Sequence, residues 1–361
     1  MTIRAVRCHR IRAALHTPWV TAVRRTESVE SVLVELIDQD GRSGWGEGVA
    51  TPTITGETLG GIEAAVGGPL RDAVLGRDPD DLAATARSIA ASMVGNTAAK
   101  AAADVALHDL AARRSGVSLA RLLGTTVTTI PTDATITVGP ADAMAAAARA
   151  RGAEGFAALK VKLGNGEADD VARLRAVRAA APDALIRVDA NQGWTPKQAV
   201  RIIGTIEDLA LAIELVEQPV AADDIDGLAY VTAHSGTPIM ADEAVSSAAD
   251  VVEIIRRRAA DLVNIKLAKA GGLAPAVQIA AVAAAAGIGT MVGSMMESHV
   301  GVGAAAALTA AVGAPLLADL DAAWWLRSSP VTGGMTYAGP TIVLPAGEGS
   351  GVAGLADPAA P

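Results

Sequence analysis

The run 185-LIRVDAN-191, mostly apolar until it closes on an acid and an amide, decides how the middle of the chain is read. Side chains on a strand alternate between two faces, so Arg187 and Asp189 share one of them. Seven further short runs have the same build: 129-TIPTDATITVG-139, 158-ALKVKLG-164, 211-LAIELVEQP-219, 238-PIMADEA-244, 262-LVNIKLAKA-270, 289-GTMVGSMMES-298 and 315-PLLADLD-321. Ala-rich helical segments separate the eight, the signature of repeated βα units and a parallel sheet. Eight evenly spaced units favour a closed α/β barrel over an open doubly wound sheet, which would carry a glycine-rich phosphate turn after its first strand.

On the N-terminal side, residues 3–49 alternate apolar and polar about Asp40-Gly41, the turn chemistry of an antiparallel hairpin, and predict a small meander. Residues 57–124 turn helical, most clearly in 97-TAAKAAADVALHDLAARRSG-116, where Gly116 takes a C-cap position. Asp104, His108 and Asp109 on this segment are expected to stabilise the joint between units. Residues 330–355 are turn-rich and β-like; they are expected to return to the N-terminal unit, leaving a frayed ADPAAP end. The expected division is an α+β unit over 1–124, a barrel over 125–325 and a returning segment over 326–361. A length of 361 residues suits a barrel of about 200 to 250 residues with a smaller companion.

Composition narrows the function. Hydrophobic residues make up 51% of the chain, yet long apolar stretches such as 276-AVQIAAVAAAAGIGTMVG-293 contain glycine or polar breaks, so no membrane span is expected. The first residues, MTIRAVRCHRIRAAL, space charges where a secretory segment needs an apolar run, and the expected location is the cytoplasm. A lone Cys8 excludes an internal disulfide framework and a Cys-type zinc site. A net charge of −9 without a basic cluster argues against nucleic acid and leaves a small molecule as the expected partner.

Reactive groups in such barrels sit at the C-terminal ends of strands. There the chain places Lys160 and Lys162, Asp189 and Asn191, Glu217, Asp242 and Glu243, Lys266, and Asp319 and Asp321. Asp189, Glu217 and Asp242 lie 28 and 25 residues apart, about one βα unit each, and are expected to converge. Three carboxylates without His or Cys form an oxygen-only set of the kind Mg²⁺ prefers. Lys162 and Lys266 fall on opposite sides of the barrel, an arrangement suited to two-base chemistry next to a carboxylate whose developing charge a cation holds. The base must be neutral when it takes the proton, which desolvation, the neighbouring Lys160 and the metal are expected to favour at Lys162. Arg187, of the same parity as Asp189, has no role in this reading.

The order KxK, DxN, ExP, DE and a lysine on strand six resembles the muconate-lactonizing-enzyme subgroup of the enolase superfamily over essentially the whole chain. The resemblance implies a (β/α)₇β barrel, a modified TIM barrel, under an α+β cap formed by the N-terminal third and the C-terminal segment. It implies Lys162 and Lys266 as the acid/base pair supported by Lys160, with Asp189, Glu217 and Asp242 as Mg²⁺ ligands and Asn191 and Glu243 beside them. Asp319-Leu-Asp321 resembles the motif by which dipeptide epimerases hold a free α-ammonium, a sensible use of two carboxylates. The resemblance therefore implies 1,1-proton transfer at the α-carbon of the C-terminal residue of an L,L-dipeptide, through an enediolate intermediate. Arg24 lies where alanyl-glutamate epimerases carry an arginine for the glutamate side chain, with Arg25 beside it. Thr135, Glu297 and Ser298 are further candidates for substrate contact, and residues 17–27 and 51–56 for loops covering the mouth. His299 is read as structural. The rival readings are an N-acylamino acid racemase, an o-succinylbenzoate synthase or a muconate-type cycloisomerase, or else a non-catalytic small-molecule-binding barrel. A homo-oligomer is expected.

Overall fold

The computed structural model describes residues 1–20, 25–164 and 166–357. The chain opens with three antiparallel strands, β1 (Ile3–Val20), β2 (Arg25–Asp38) and β3 (Ser43–Val49), joined in that order. Gly41 turns the second hairpin at φ +84°, a conformation that costs a residue without Cβ little. Of residues 17–27, expected to cover the mouth, the described ones, 17–20 and 25–27, extend the first hairpin, with Trp19 opposite Thr26 and Val20 opposite Arg25.

Against β3 lies a helix, Thr97–Arg114, in which Ala98 to Ala112 are all buried. The strand reads Ser-Gly-Trp-Gly-Glu-Gly-Val, and its period of two puts Gly44, Gly46 and Gly48 on the helix side. A Cβ at Gly44 or Gly46 would run into the backbone of Ala106 or Ala102. Glycine facing alanine brings strand and helix into backbone contact, which is why this helix carries so little bulk. Trp45 and Glu47 point the other way.

Seven parallel strands form the barrel: β5 (Ala134–Ile136), β6 (Ala158–Lys162), β7 (Leu185–Asp189), β8 (Ile213–Glu217), β9 (Ile239–Ala241), β10 (Leu262–Lys266) and β11 (Gly289–Gly293). Each pairs with its sequence neighbour. The eighth expected strand, 315–321, is no strand but a pair of single-residue bridges. Ala318 pairs with Thr132 and Asp319 with Gly293, joining the two sides of the sheet. A 3₁₀ turn over Ala322–Trp325 follows at once and leaves no length for a ladder. The first expected strand, 129–139, also divides. Its start, β4 (Thr129–Pro131), pairs antiparallel with the C-terminal segment, and only Ala134–Ile136 enters the barrel.

That segment supplies β12 (Val331–Gly333), β13 (Thr336–Ala338), β14 (Thr341–Val343) and β15 (Val352–Leu355). Val331 and Val352 pack with Leu33 and Trp45 of the cap sheet. Residues 358–361, most of the expected frayed end, lie outside the described residues. Among the described residues no helix is long and apolar enough to cross a membrane.

The polar residues of the cap helix work at joints, as expected. Asp104 accepts from the amides of Leu273 and Ala274 at 2.6 and 3.2 Å, capping a barrel helix. Asp109, fully buried, accepts from the Trp45 amide at 2.8 Å, from Arg113 at 3.2 Å and from the Ser350 amide, tying sheet, helix and C-terminal segment together. Removing an acceptor from buried donors costs about 1 to 3 kcal/mol or more. Asp109→Ala should therefore lower the unfolding free energy by about 3 kcal/mol in urea titration, with kcat near the wild-type value below the transition.

Candidate active site

Parallel pairing sets the site's level. Lys162 pairs in register with Asp189, Asp189 with Glu217, and Lys266 with Gly293, which bridges to Asp319. The charged strand ends thus lie in one layer at the mouth. Lys160 Nζ stands at 3.1 Å from Asp189 Oδ2, 2.8 Å from Glu217 Oε2 and 2.7 Å from Asp319 Oδ2. Lys162 Nζ lies 2.6 Å from Asp189 Oδ2, and Lys266 Nζ 2.7 Å from Asp242 Oδ2. All of these groups are buried.

Strained backbone aims several of them. Asn191, Gln192 and Gln218 hold positive φ of 43°, 67° and 33°, just past the ends of β7 and β8. The Gln192 amide donates to the Gln218 carbonyl at 2.8 Å, and the Asn191 amide to Asp189 Oδ1 at 2.9 Å. Gln218 Oε1 accepts from the amides of Asp242 and Ala244 at 2.9 and 3.1 Å. One side chain thereby braces two neighbouring strand ends.

Electrostatics separate the acids. Burial pushes every one of them up, but Lys162 and Lys160 outweigh it at Asp189 and bring that carboxyl down to about 2. At Asp242, Lys266 and Lys269 likewise overcome burial and hold it well below the usual range. Burial prevails at Glu217, which rises to about 7 against the pull of Lys160, and at Glu243, which also reaches about 7 with Asp242 beside it. For Lys266 burial works downward, yet Asp242 and the other carboxylates raise it above its ordinary value.

The mouth opens into a cavity of about 220 Å³ between cap and barrel. Lys162 and Lys266 line it with Asn191, Glu243, Asp319 and Asp321, under Trp19, Thr51, Thr53 and Ile54 from the cap. Residues 51–56 thus contribute to its cover. Thr135, expected at the substrate, lies behind it: its amide donates to Asp321 Oδ2 at 2.7 Å, and Trp325 Nε1 donates to the same oxygen at 3.0 Å. Glu297 and Ser298 also turn away from the cavity, because the chain past β11 must start a helix there. Ser298 caps the helix His299–Val312 and donates its hydroxyl to Glu47 of β3 at 2.6 Å. Ser294, Met295 and Met296 take the places at the cavity wall. Arg25 is exposed and paired with Glu27 at 3.1 Å, and Arg24 lies outside the described residues. Arg187, level with Lys160 on the neighbouring strand, is spent inside the barrel, reaching Glu214 at 2.6 Å, Asp133 at 3.0 Å and the Leu317 carbonyl at 2.8 Å.

Asn264, Gln218, Lys269 and Asp133 are absent from the sequence reading. Asn264 donates to Glu217 Oε1 at 3.0 Å, and its parity with Lys266 was the signal that marked it. Asp133 stands with Asp319 and Asp321, one oxygen of each within 4.8 Å of the others. Two carboxylate groupings are thus candidates for a cation. In the Asp133 grouping, Asp133 and Asp319 already face Arg187 and Lys160. The second is Asp189, Glu217 and Asp242, where Lys160 shows that two of the three converge on a single cation-sized point. Beside this second set, buried Asn191 Oδ1 and Glu243 Oε2 accept no hydrogen bond. Oxygen-only donors with spare acceptors next to them fit a hard divalent ion.

A capped barrel with lysines and carboxylates at its strand ends is the scaffold of an enzyme that handles protons beside a cation. Residues 3–124 match the mandelate racemase / muconate lactonizing enzyme N-terminal domain and residues 142–357 the enolase C-terminal domain-like model, so the chain belongs to this enolase-superfamily family. It is 42% identical over 358 residues to the L-Ala-D/L-Glu epimerase of Bacillus subtilis, covering 99% of this chain and 98% of that one. The solved substrate-liganded complex of that epimerase superposes with a TM-score of 0.96 at 41% identity, over 99% and 100% of the two chains. The dipeptide epimerase of Enterococcus faecalis complexed with Mg and L-Leu-L-Tyr gives a TM-score of 0.93 at 38% identity, over 98% and 99%.

Glu297 supplies a test of the cap joint. Burial, with Glu47 adding to it, raises its carboxyl to about 8, whereas an unfolded chain releases that proton near pH 4.3. Folding therefore takes up a proton between these values, and stability falls as pH rises across the window, levelling above about 8. Glu297→Gln should flatten that slope, so that urea unfolding at pH 5.5 and pH 8 gives closer values than in the wild type. An unchanged slope would show that Glu297 enters the fold ionised.

Proposed function

We propose that the protein is a dipeptide epimerase, an isomerase that inverts the α-carbon of the C-terminal residue of an L,L-dipeptide by 1,1-proton transfer. The observation that carries this reading is the placement of Lys162 and Lys266. Both line one cavity, three strands separate them around the barrel, and each is anchored to a different carboxylate. A carbon between them meets one lysine on each face. Transfer requires one lysine neutral and the other charged at the start, with the roles exchanged at the end. Lys266, held protonated by its carboxylates, is suited to deliver a proton to the face opposite Lys162.

Asp189, Glu217 and Asp242 are the residues to hold Mg²⁺, with Asn191 and Glu243 beside them. When bound, the ion supplies the positive charge that an α-carboxylate needs as its proton leaves. Lys160 stays as a fixed counter-charge among the acids. Asp319 and Asp321 are placed for the substrate's α-ammonium: burial and Asp319 push the Asp321 carboxyl up to about 6, so a cation arriving there relieves two crowded acids. Thr135 and Trp325 hold Asp321 in place. Arg24 is proposed to meet an acidic side chain on the C-terminal residue. Residues 125–325 are the catalytic barrel, 1–124 with 326–361 the cap, and the cytoplasm the place of action.

Exchange of α-hydrogen in D₂O, read by mass over a dipeptide library, tests the reading directly. Lys266→Ala should lose epimerisation yet keep exchange on the epimer served by Lys162, and Lys162→Ala the reverse. A single variant that still interconverts epimers at the wild-type rate removes the lysine assignment, and full activity in excess EDTA removes the metal.

Specificity gives an independent check. Losing one partner of a buried, hydrogen-bonded charge pair costs about 2 to 5 kcal/mol, so Asp321→Asn should cut kcat/KM on free dipeptides by roughly 30-fold or more. N-acylated amino acids should be much less affected. Arg24→Ala should penalise Ala-Glu more than Ala-Leu, and equal losses on both would place Arg24 outside the specificity pocket.

A further inference from the structure

Asp242 is gripped from two sides. Lys266 Nζ lies 2.7 Å from its Oδ2, and Lys269 Nζ lies 2.6 Å from its Oδ1. Lys269 is buried, lines no part of the cavity and also donates to the Asp242 carbonyl. Its third acceptor is the Asn264 carbonyl at 3.5 Å. The polar atoms within reach of this ammonium all belong to Asp242 or to Asn264 of the strand that carries Lys266: an ion-pair contact to Asp242 Oδ1 and hydrogen bonds to the two carbonyls.

Its own position is fixed from outside the barrel. Lys269 sits in a single turn, Leu267–Ala270, that follows β10 without a break. Gly271 and Gly272 end that turn at φ +93° and +121°, and the amides just past them are the ones Asp104 of the cap helix captures. The line of contact therefore runs from cap helix to turn, from turn to Lys269, and from Lys269 to Asp242.

We propose that Lys269 is a positioning residue for the epimerase reaction. It clamps one edge of the Asp242 carboxylate so that the other edge is presented, in a fixed plane, to Lys266 and to the cation site. The inference rests on the proposed function for its catalytic half and on geometry alone for the clamp. A carboxylate with one partner swings about its χ2 bond, which is broad and roughly two-fold, whereas one held at both oxygens does not. Lys266, hydrogen-bonded to Asp242, would move with it, and Lys162, anchored to Asp189, would not.

Lys269→Met, nearly isosteric and uncharged, separates this from two plainer roles. The variant should fold by circular dichroism and bind Mg²⁺ at least fivefold more weakly in calorimetry. A simple counter-charge predicts the opposite sign, because deleting a cation beside a metal ligand strengthens attraction for a dication. In D₂O, exchange on the epimer served by Lys266, identified as the one that Lys162→Ala retains, should fall at least tenfold further than exchange on the other. A general structural role predicts equal losses. Mg²⁺ affinity that is unchanged or higher overturns the clamp, and so do exchange rates that fall together. Lys269→Gln, which keeps a donor for the two carbonyls, carries the same comparison if Lys269→Met does not fold. A wild-type protein that exchanges no dipeptide α-hydrogen would sink the proposed function, while the Mg²⁺ titration would still decide the clamp.

Discussion

Everything at the barrel mouth is arranged around one buried ammonium. Lys160 touches acids from β7, β8 and the closing bridge at once, so it joins the third, fourth and last units of the barrel. Transferring such charges out of water costs several kcal/mol per ion, and only close pairing offsets it. The pairing here is close on every side, and removing any one partner would leave an uncompensated charge in a dry layer. That constraint explains why Asn264, Thr135 and Trp325 spend donors on holding carboxylates still, while Gln218 fixes the backbone on which Asp242 stands. The site is less a set of separate groups than a balance of buried charge, with two lysines of that balance lining the cavity.

Much of this was legible in the sequence because a parallel barrel writes its active site as punctuation. Each strand is a short apolar run, and the polar residue that ends it points into the mouth, so the strand-end layer of Lys162, Asp189, Glu217, Asp242 and Lys266 could be numbered from spacing and parity. The meander about Asp40-Gly41 and the helix ending before Gly116 were equally plain, because turn and cap residues leave local signals.

Other residues were hidden where position depends on long-range packing. The closing strand was read as a full strand from 315-PLLADLD-321, but its length is set by the 3₁₀ turn beyond it and by its two neighbours, neither visible in the segment itself. Glu297 and Ser298 end an apolar run like the other candidates, yet β11 stops at Gly293 and the following turn rotates them toward Glu47 of the cap. Lys269 gave no signal, since a lysine three residues past a strand end looks like any solvated helix charge. Arg187 had the right parity and lies level with Lys160, but its guanidinium is spent on Asp133 and Glu214 inside the barrel, and parity cannot tell a buried ion pair from a group that reaches the cavity.

The glycine stripe of β3 has a consequence for how the cavity is reached. With backbone against backbone on one side and Glu47 on the other accepting from Ser298 and Gly301, this strand has no slack toward either the cap helix or the barrel. Small packed interfaces of this kind switch between arrangements rather than bend. At β3 the cap is therefore seated on the barrel as a plate, and what overhangs the cavity is the plate's rim, Trp19 and the segment from Thr51 to Ile54.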